Sequence, residues 1–175
     1  AVAVGATLVN PGPNLQAEPI AQLLESEKVT ITAGVPTIWM GVLPELIGRD
    51  LPNLRAIACG GSAVPKSLSE EFRNKVGLPL LQAWGMTETS PLAAIAHVKS
   101  SDRDLDEESK ADIRSSVGTI VPSVEFRICE PGSTNEMQWD GESSGELQVR
   151  GPFVTANYYK RPDATDSFTS DGWLR

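Results

Sequence analysis

The sequence is poor in the residues that metal clusters, disulfide frameworks, membrane spans and nucleic-acid surfaces require. Its 175 residues include two cysteines and one histidine. Cys59 and Cys129 stand alone, with no C-x-x-C pair, and His97 is the sole imidazole, so spacing gives neither a zinc site nor a disulfide framework. A reducing compartment, the cytoplasm, is the expected setting. No apolar run approaches the ~20 residues that cross a bilayer, and no basic segment leads into a hydrophobic one at the amino terminus. Lys and Arg number 15 against 23 Asp and Glu, a net charge of −8. Without a basic cluster to release counterions, nucleic acid is not an expected partner. The chain opens on Ala1-Val2-Ala3 with no initiating methionine and stops at Gly172-Trp173-Leu174-Arg175, and it reads as an internal segment.

What is present is ordinary globular material: 40% hydrophobic and 22% charged residues, with 15 Gly and 13 Pro. Up to about Val98, short apolar runs alternate with amphipathic stretches, as in β-α-β units that build a mostly parallel sheet. The expected strands are Ala6-Val9, Val29-Thr32, Leu54-Cys59, Leu78-Gln82 and Ala93-His97. Their nearly continuous apolar character suits strands covered on both faces. Ile20, Leu23 and Leu24 recur at helical spacing, as do Ile38, Val42, Leu43 and Leu46 after Pro36. A third helix is expected over Ser67–Val76, with Ser67 and Glu70 as a capping box and Leu68, Phe72 and Val76 as its buried stripe. Residues 99 to 116 are polar and read as a solvated excursion or short helix. Val117-Val121, Glu125-Cys129 and Glu146-Val149 then read as antiparallel β structure. The fold class is therefore α/β: a mostly parallel sheet with flanking helices over residues 1–115, followed by a smaller antiparallel β subdomain over 116–175.

Two loops follow expected parallel strands, Gly60-Gly61-Ser62-Ala63 and Ala83-Trp84-Gly85-Met86-Thr87-Glu88. Carboxyl ends of parallel strands share one sheet edge, and ligands bind outside that edge. The glycines permit close backbone approach, Trp84 could stack on a base, Thr87 offers a hydroxyl and Glu88 a hard oxygen for Mg²⁺. Those residue types suit a nucleotide. Each loop is also compatible with a plain strand-end turn, and a Thr-Glu pair with a helix cap.

Three blocks in register carry a resemblance: Gly60-Gly61-Ser62-Ala63-Val64-Pro65, Gln82-Ala83-Trp84-Gly85-Met86-Thr87-Glu88-Thr89 and Gly145-Glu146-Leu147-Gln148-Val149-Arg150-Gly151-Pro152. Together they resemble the AMP-forming acyl-activating superfamily, which includes acyl-CoA synthetases, luciferases and peptide-synthetase adenylation domains. The resemblance implies an acyl-CoA synthetase that uses ATP and Mg²⁺ to form acyl-AMP and pyrophosphate, then passes the acyl group to coenzyme A. It implies that Thr87 contacts ATP phosphate and that Glu88 holds Mg²⁺. It further implies that Gly61, Ser62 and Ala63 with Gln82, Ala83, Trp84 and Gly85 form the nucleotide site. Trp84 stands where many relatives have Tyr, keeping a flat surface while exchanging a hydroxyl for an indole N–H.

A fourth block, Gly34-Val35-Pro36-Thr37-Ile38-Trp39-Met40, resembles the segment of bacterial long- and medium-chain fatty-acyl-CoA synthetases that carries a gating tryptophan. Trp39 is thereby a candidate acyl gate with fatty acid as substrate; by position alone it reads first as a core residue at a helix start. His97, Cys59 and the Tyr158-Tyr159 pair are expected to be structural. The resemblance also implies parts not seen in this sequence: a phosphate loop before it, a ribose-binding Asp after Leu174-Arg175, and a small carboxy-terminal domain with a Lys. The segment alone is therefore expected to be inactive, and the resemblance implies a homodimer for the intact protein. An adenylation domain of the peptide-synthetase type, a luciferase-like oxygenase and a non-catalytic nucleotide- or acyl-binding module are the competing functions.

Overall fold

A computed structural model describes residues 2–175, with the side chain of Val2 left aside. Five strands form one sheet in the order β1 (Ile31–Gly34), β2 (Ala56–Gly60), β3 (Leu80–Gly85), β4 (Leu92–Ile95) and β5 (Thr119–Ile120). β1, β2 and β3 are parallel, with Ile31 opposite Ala56 and Gly60 opposite Ala83. The remaining strands, β6 (Glu125–Cys129) and β7 (Glu146–Arg150), pair antiparallel, with Glu125 opposite Arg150 and Cys129 opposite Glu146. The chain divides into two compact units, one of residues 1–84 and 95–118, the other of 85–94 and 119–175.

In the first unit α1 (Ala17–Ser26), α2 (Pro36–Leu46) and α3 (Lys66–Val76) supply the apolar stripes read in the sequence. Ile20, Leu24, Val42, Leu43, Leu46, Leu68 and Phe72 are buried with Ile57, Cys59 and Leu80 of the strands in one core. Pro36 fits at the first helical position, where its missing N–H has no helical partner to lose. Pro44 falls inside α2 but on its exposed side. Arg49 ties α2 back to α1, its guanidinium bonded to Glu25 at 2.7 Å and Glu18 at 2.8 Å.

Several expectations are corrected. No strand forms at Ala6–Val9, where Leu8 is exposed and Pro11 and Pro13 follow closely, removing ladder donors. β1 starts two residues later than Val29 because the Val29 N–H still caps α1 at the Leu24 carbonyl. The capping box at Ser67 does not form: Pro65 occupies the N-cap and its carbonyl accepts from Leu68 and Ser69. Gly77 ends α3 in the left-handed region at φ 86°, its N–H closing on Arg73.

Glu70 is committed elsewhere, to Arg73 at 2.6 Å and to Arg114 at 2.7 Å. Arg114 lies on α4 (Glu107–Ser115), which Asp106 caps by accepting the Ser109 N–H at 2.8 Å. The polar stretch is thus a short helix whose Arg114 is buried, and not a wholly solvated excursion. β5 joins the larger sheet instead of the antiparallel pair, with the Val121 N–H donating to Ala93.

In the second unit the β6–β7 pair is extended by the last residues: Val149 and Leu174 exchange both backbone hydrogen bonds at 2.9 Å. Two guanidinium groups, those of Arg127 and Arg150, stand over the Trp173 ring, each 4.4 Å from its centre. Arg127 is buried and bonded to Asp171 through both terminal nitrogens, and its Nε donates to Gln148. That hydrogen bonding holds the Asp171 carboxyl far below the usual carboxylate range.

Candidate nucleotide site

In the first unit the parallel pairing of β2 with β3 sets Gly60 against Ala83. A Cβ on Gly60 would lie 2.5 Å from the Ala83 carbonyl oxygen, so no side chain fits there. Gly61 turns the chain at φ +83°, in the region where glycine carries no steric cost. The buried Gln82 then fastens the loop, its Oε1 accepting the Val64 N–H at 3.0 Å. Gly61, Ser62 and Ala63 are exposed beside Ala83 and Trp84, which are half-buried. The structure therefore brings these two sequence-predicted groups together, and Gln82 is the side chain that does it.

Trp39 sits apart from them in the core of the same unit. It is 1% exposed, its indole N–H donates to the Ala58 carbonyl at 3.2 Å, and its ring meets Phe72 edge-on at 6.2 Å. A Cβ on Gly34 would lie 3.1 Å from the indole, so Gly34 is the space into which Trp39 packs. Cys59, on β2, is fully buried, and burial pushes its thiol up to about 11.

In the second unit Thr87 and Glu88 lie on a 3-10 turn, Thr87–Thr89, set in a loop from Gly85 to Pro91. Thr89 organises that loop from the inside. It is fully buried, its Oγ1 accepts the Met86 N–H at 3.0 Å, and its proton is shared between the Met86 and Pro91 carbonyls. A Cβ on Gly85 would fall 1.8 Å from the Pro91 oxygen, so the loop closes on a position where only glycine fits. Ser90 takes φ 58°, and the Ser90-Pro91 bond is cis. Thr87 is exposed and Glu88 half-buried.

Glu88 is gripped twice from far along the chain. The Thr155 N–H donates to its backbone carbonyl at 2.7 Å, and the Tyr158 hydroxyl donates to Oε1 of its carboxylate at 2.8 Å. The Tyr158 bond, with help from the backbone, holds the Glu88 carboxyl below its ordinary value, and the same bond raises the phenol. Tyr158 and Thr89 are residues that sequence reasoning missed as site-builders. For Tyr158 the signal was its place six residues beyond Pro152 of the third block; for Thr89, its place inside the quoted block beside Glu88.

Among the described residues no three His, Cys, Asp or Glu side chains gather as a metal cluster. Glu88 is accordingly a single hard-oxygen donor. That fits Mg²⁺, which keeps much of its water and is held by one or two carboxylates together with substrate phosphates.

The first unit is an α/β unit with parallel strands that end in glycine loops, and the comparisons give the family. The AMP-binding enzyme family matches residues 1–159, and the chain belongs to it. A long-chain-fatty-acid–CoA ligase of Thermus thermophilus is 39% identical over 178 residues, covering 100% of this chain and 32% of the relative. A medium-chain-fatty-acid–CoA ligase of Ectopseudomonas oleovorans is 36% identical over 99% of this chain and 32% of its own length. Among solved structures, O-succinylbenzoate coenzyme A synthetase of Bacillus subtilis in complex with AMP superimposes with a TM-score of 0.74 at 28% identity, over 91% of this chain and 30% of that one. MatB of Rhodopseudomonas palustris with ATP bound gives 0.71 at 25% identity, over 95% and 29%. The chain spans about a third of the length of the curated relatives it matches.

Proposed function

We propose that the chain is the nucleotide-facing part of an ATP-dependent fatty-acid–CoA ligase. The fatty-acid carboxylate attacks the α-phosphorus of ATP and releases pyrophosphate, and the thiol of coenzyme A then takes the acyl group from acyl-AMP and releases AMP. The observation that carries this reading is the β2–β3 pairing, which sets Gly61, Ser62 and Ala63 beside Ala83 and Trp84 under the Gln82 to Val64 bond. A half-buried Trp at the end of the strand that adjoins an open glycine loop suits a purine. Fatty acid is favoured as substrate because a long-chain ligase is 39% identical over the whole chain, against 34% for an indoleacetate ligase of equal coverage.

Glu88 holds Mg²⁺ in this reading, and the exposed Thr87 hydroxyl donates to a phosphate oxygen. Mg²⁺, when bound, neutralises charge on the phosphates so that one anion can approach another. The hydrogen bonds to Glu88 favour its ionised form, the form that holds a cation. Trp39 is proposed as the acyl gate; with its indole hydrogen-bonded in the core, opening requires breaking the Ala58 bond and leaving the Gly34 face.

The test is ATP–pyrophosphate exchange by the full-length protein with saturated acids of increasing chain length. Exchange that depends on fatty acid supports the reading, and exchange with amino acids alone overturns it. Residues 1–175 by themselves are proposed to be inactive, because they span about a third of the relatives' length. Acyl-hydroxamate formation by that segment would refute this.

A further inference from the structure

We infer that Tyr158 is a positioning residue for Glu88, fixing the orientation of its carboxylate for the divalent cation that accompanies a nucleoside triphosphate. The inference rests on the metal role proposed for Glu88 and goes beyond it. A glutamate on an exposed turn samples many rotamers, and a carboxylate that must share a cation with phosphate loses affinity in proportion.

Here the sampling is suppressed from both ends. Thr155 fixes the Glu88 main chain through its carbonyl, and Tyr158, three residues on, fixes Oε1. The clamp is itself braced. Thr155 Oγ1 donates to the Asn157 carbonyl at 2.9 Å, the Arg161 N–H donates to the Tyr158 carbonyl, and the Tyr158 ring packs edge-on against Phe168 at 5.8 Å. A partly exposed phenol could satisfy its hydroxyl with water, yet this one donates to a carboxylate, a charge-assisted bond. One carboxylate oxygen is thereby committed to the phenol, and the turn is held in one pose. Groups that orient a metal ligand in this way commonly change affinity by about 10- to 100-fold when removed.

The experiment uses the full-length enzyme with a non-hydrolysable ATP analogue and follows Mn²⁺ binding by the electron paramagnetic resonance of the free ion. Wild type, Tyr158→Phe and Glu88→Gln are compared, with the KM for fatty acid and the thermal midpoint measured in parallel. Tyr158→Phe keeps the ring against Phe168 and removes only the hydroxyl. The expected result is Mn²⁺ affinity about tenfold lower in Tyr158→Phe, with an unchanged fatty-acid KM and thermal midpoint, and a larger loss in Glu88→Gln.

If Glu88→Gln weakens Mn²⁺ binding and Tyr158→Phe does not, the positioning role is overturned and the metal role of Glu88 stands. If Glu88→Gln leaves Mn²⁺ binding unchanged, the metal role falls and the positioning role with it. A Tyr158→Phe variant whose Mn²⁺ loss is matched by an equal rise in fatty-acid KM would show a general loosening, and would also overturn the inference.

Discussion

Replacing Gly85 by alanine would put a Cβ 1.8 Å from the Pro91 carbonyl oxygen and 2.8 Å from its carbon, where real contacts of that kind stay beyond 3.0 Å. The obstacle is backbone, so relief requires the Pro91 peptide or β3 to move by about an ångström or more. The Pro91 carbonyl is one of the two partners of the Thr89 hydroxyl, which also receives the Met86 N–H, so the displacement passes into the turn that carries Thr87 and Glu88. Misplacing a reacting or orienting group by about 1 Å costs about 10²-fold in rate, or about 2.7 kcal/mol of barrier. The expected outcome for Gly85→Ala in the full-length enzyme is therefore a fall of about two orders of magnitude in the first-step rate. ATP–pyrophosphate exchange at saturating fatty acid measures it. Gly41→Ala in α2 is the control, since a Cβ there meets nothing within 4 Å; it should be neutral or raise stability by about 0.5–1 kcal/mol. A Gly85→Ala enzyme that keeps its exchange rate within about threefold of wild type, at an unchanged Mg²⁺ requirement, would refute the reasoning.

Glu70→Gln should destabilise the protein by about 2–4 kcal/mol in urea unfolding, because it leaves the buried Arg114 with only Glu107 at 3.6 Å. Arg114→Met should cost less, and the reverse order would count against the buried-pair account. Burial works to raise the Glu70 pKa, but the Arg73 and Arg114 hydrogen bonds outweigh it, so its folded value is lowered. Its contribution is thus complete above the ordinary glutamate value and is lost as pH falls through the lowered one; acid titration of stability in wild type but less so in Glu70→Gln checks the sign. The Cys59 thiol, pushed up to about 11, should resist a disulfide reagent at pH 8 in the folded protein and react on denaturation; fast labelling of Cys59 in the native state would contradict its burial. Trp39→Phe should cost about 1 kcal/mol for the lost bond to Ala58, and an unchanged unfolding midpoint would argue that the indole spends much of its time elsewhere.

The parallel strands were legible where apolar runs end in glycine, because burial and close approach both leave a mark on residue type. β2 and β3 show this: their cores and the Gly60-Gly61 turn follow from local sequence. Local pattern misled where a distant partner took over a side chain. Ser67 and Glu70 have the spacing of a capping box, yet Glu70 answers to Arg114, 44 residues away. The same holds for the site. Gly61, Gln82, Trp84 and Glu88 announce themselves by type and block, whereas Tyr158 acquires its partner, 70 residues away, only through folding. Ala6–Val9 failed for the opposite reason: its apolar run is real, but no partner strand among the described residues takes it up and Leu8 stays exposed.

The grip on Glu88 also sets an order of assembly. Tyr158 is 70 residues downstream of the carboxylate it holds, so the turn cannot settle until that later stretch has been made and has closed back on it. Closing so long a loop carries an entropic cost that short-range contacts do not. During synthesis, Thr87 and Glu88 would emerge early and wait, loosely arranged, for residues 155–158. The turn that carries Glu88 is thus expected to be one of the later features of the second unit to mature, and to report a defect far from it in the sequence.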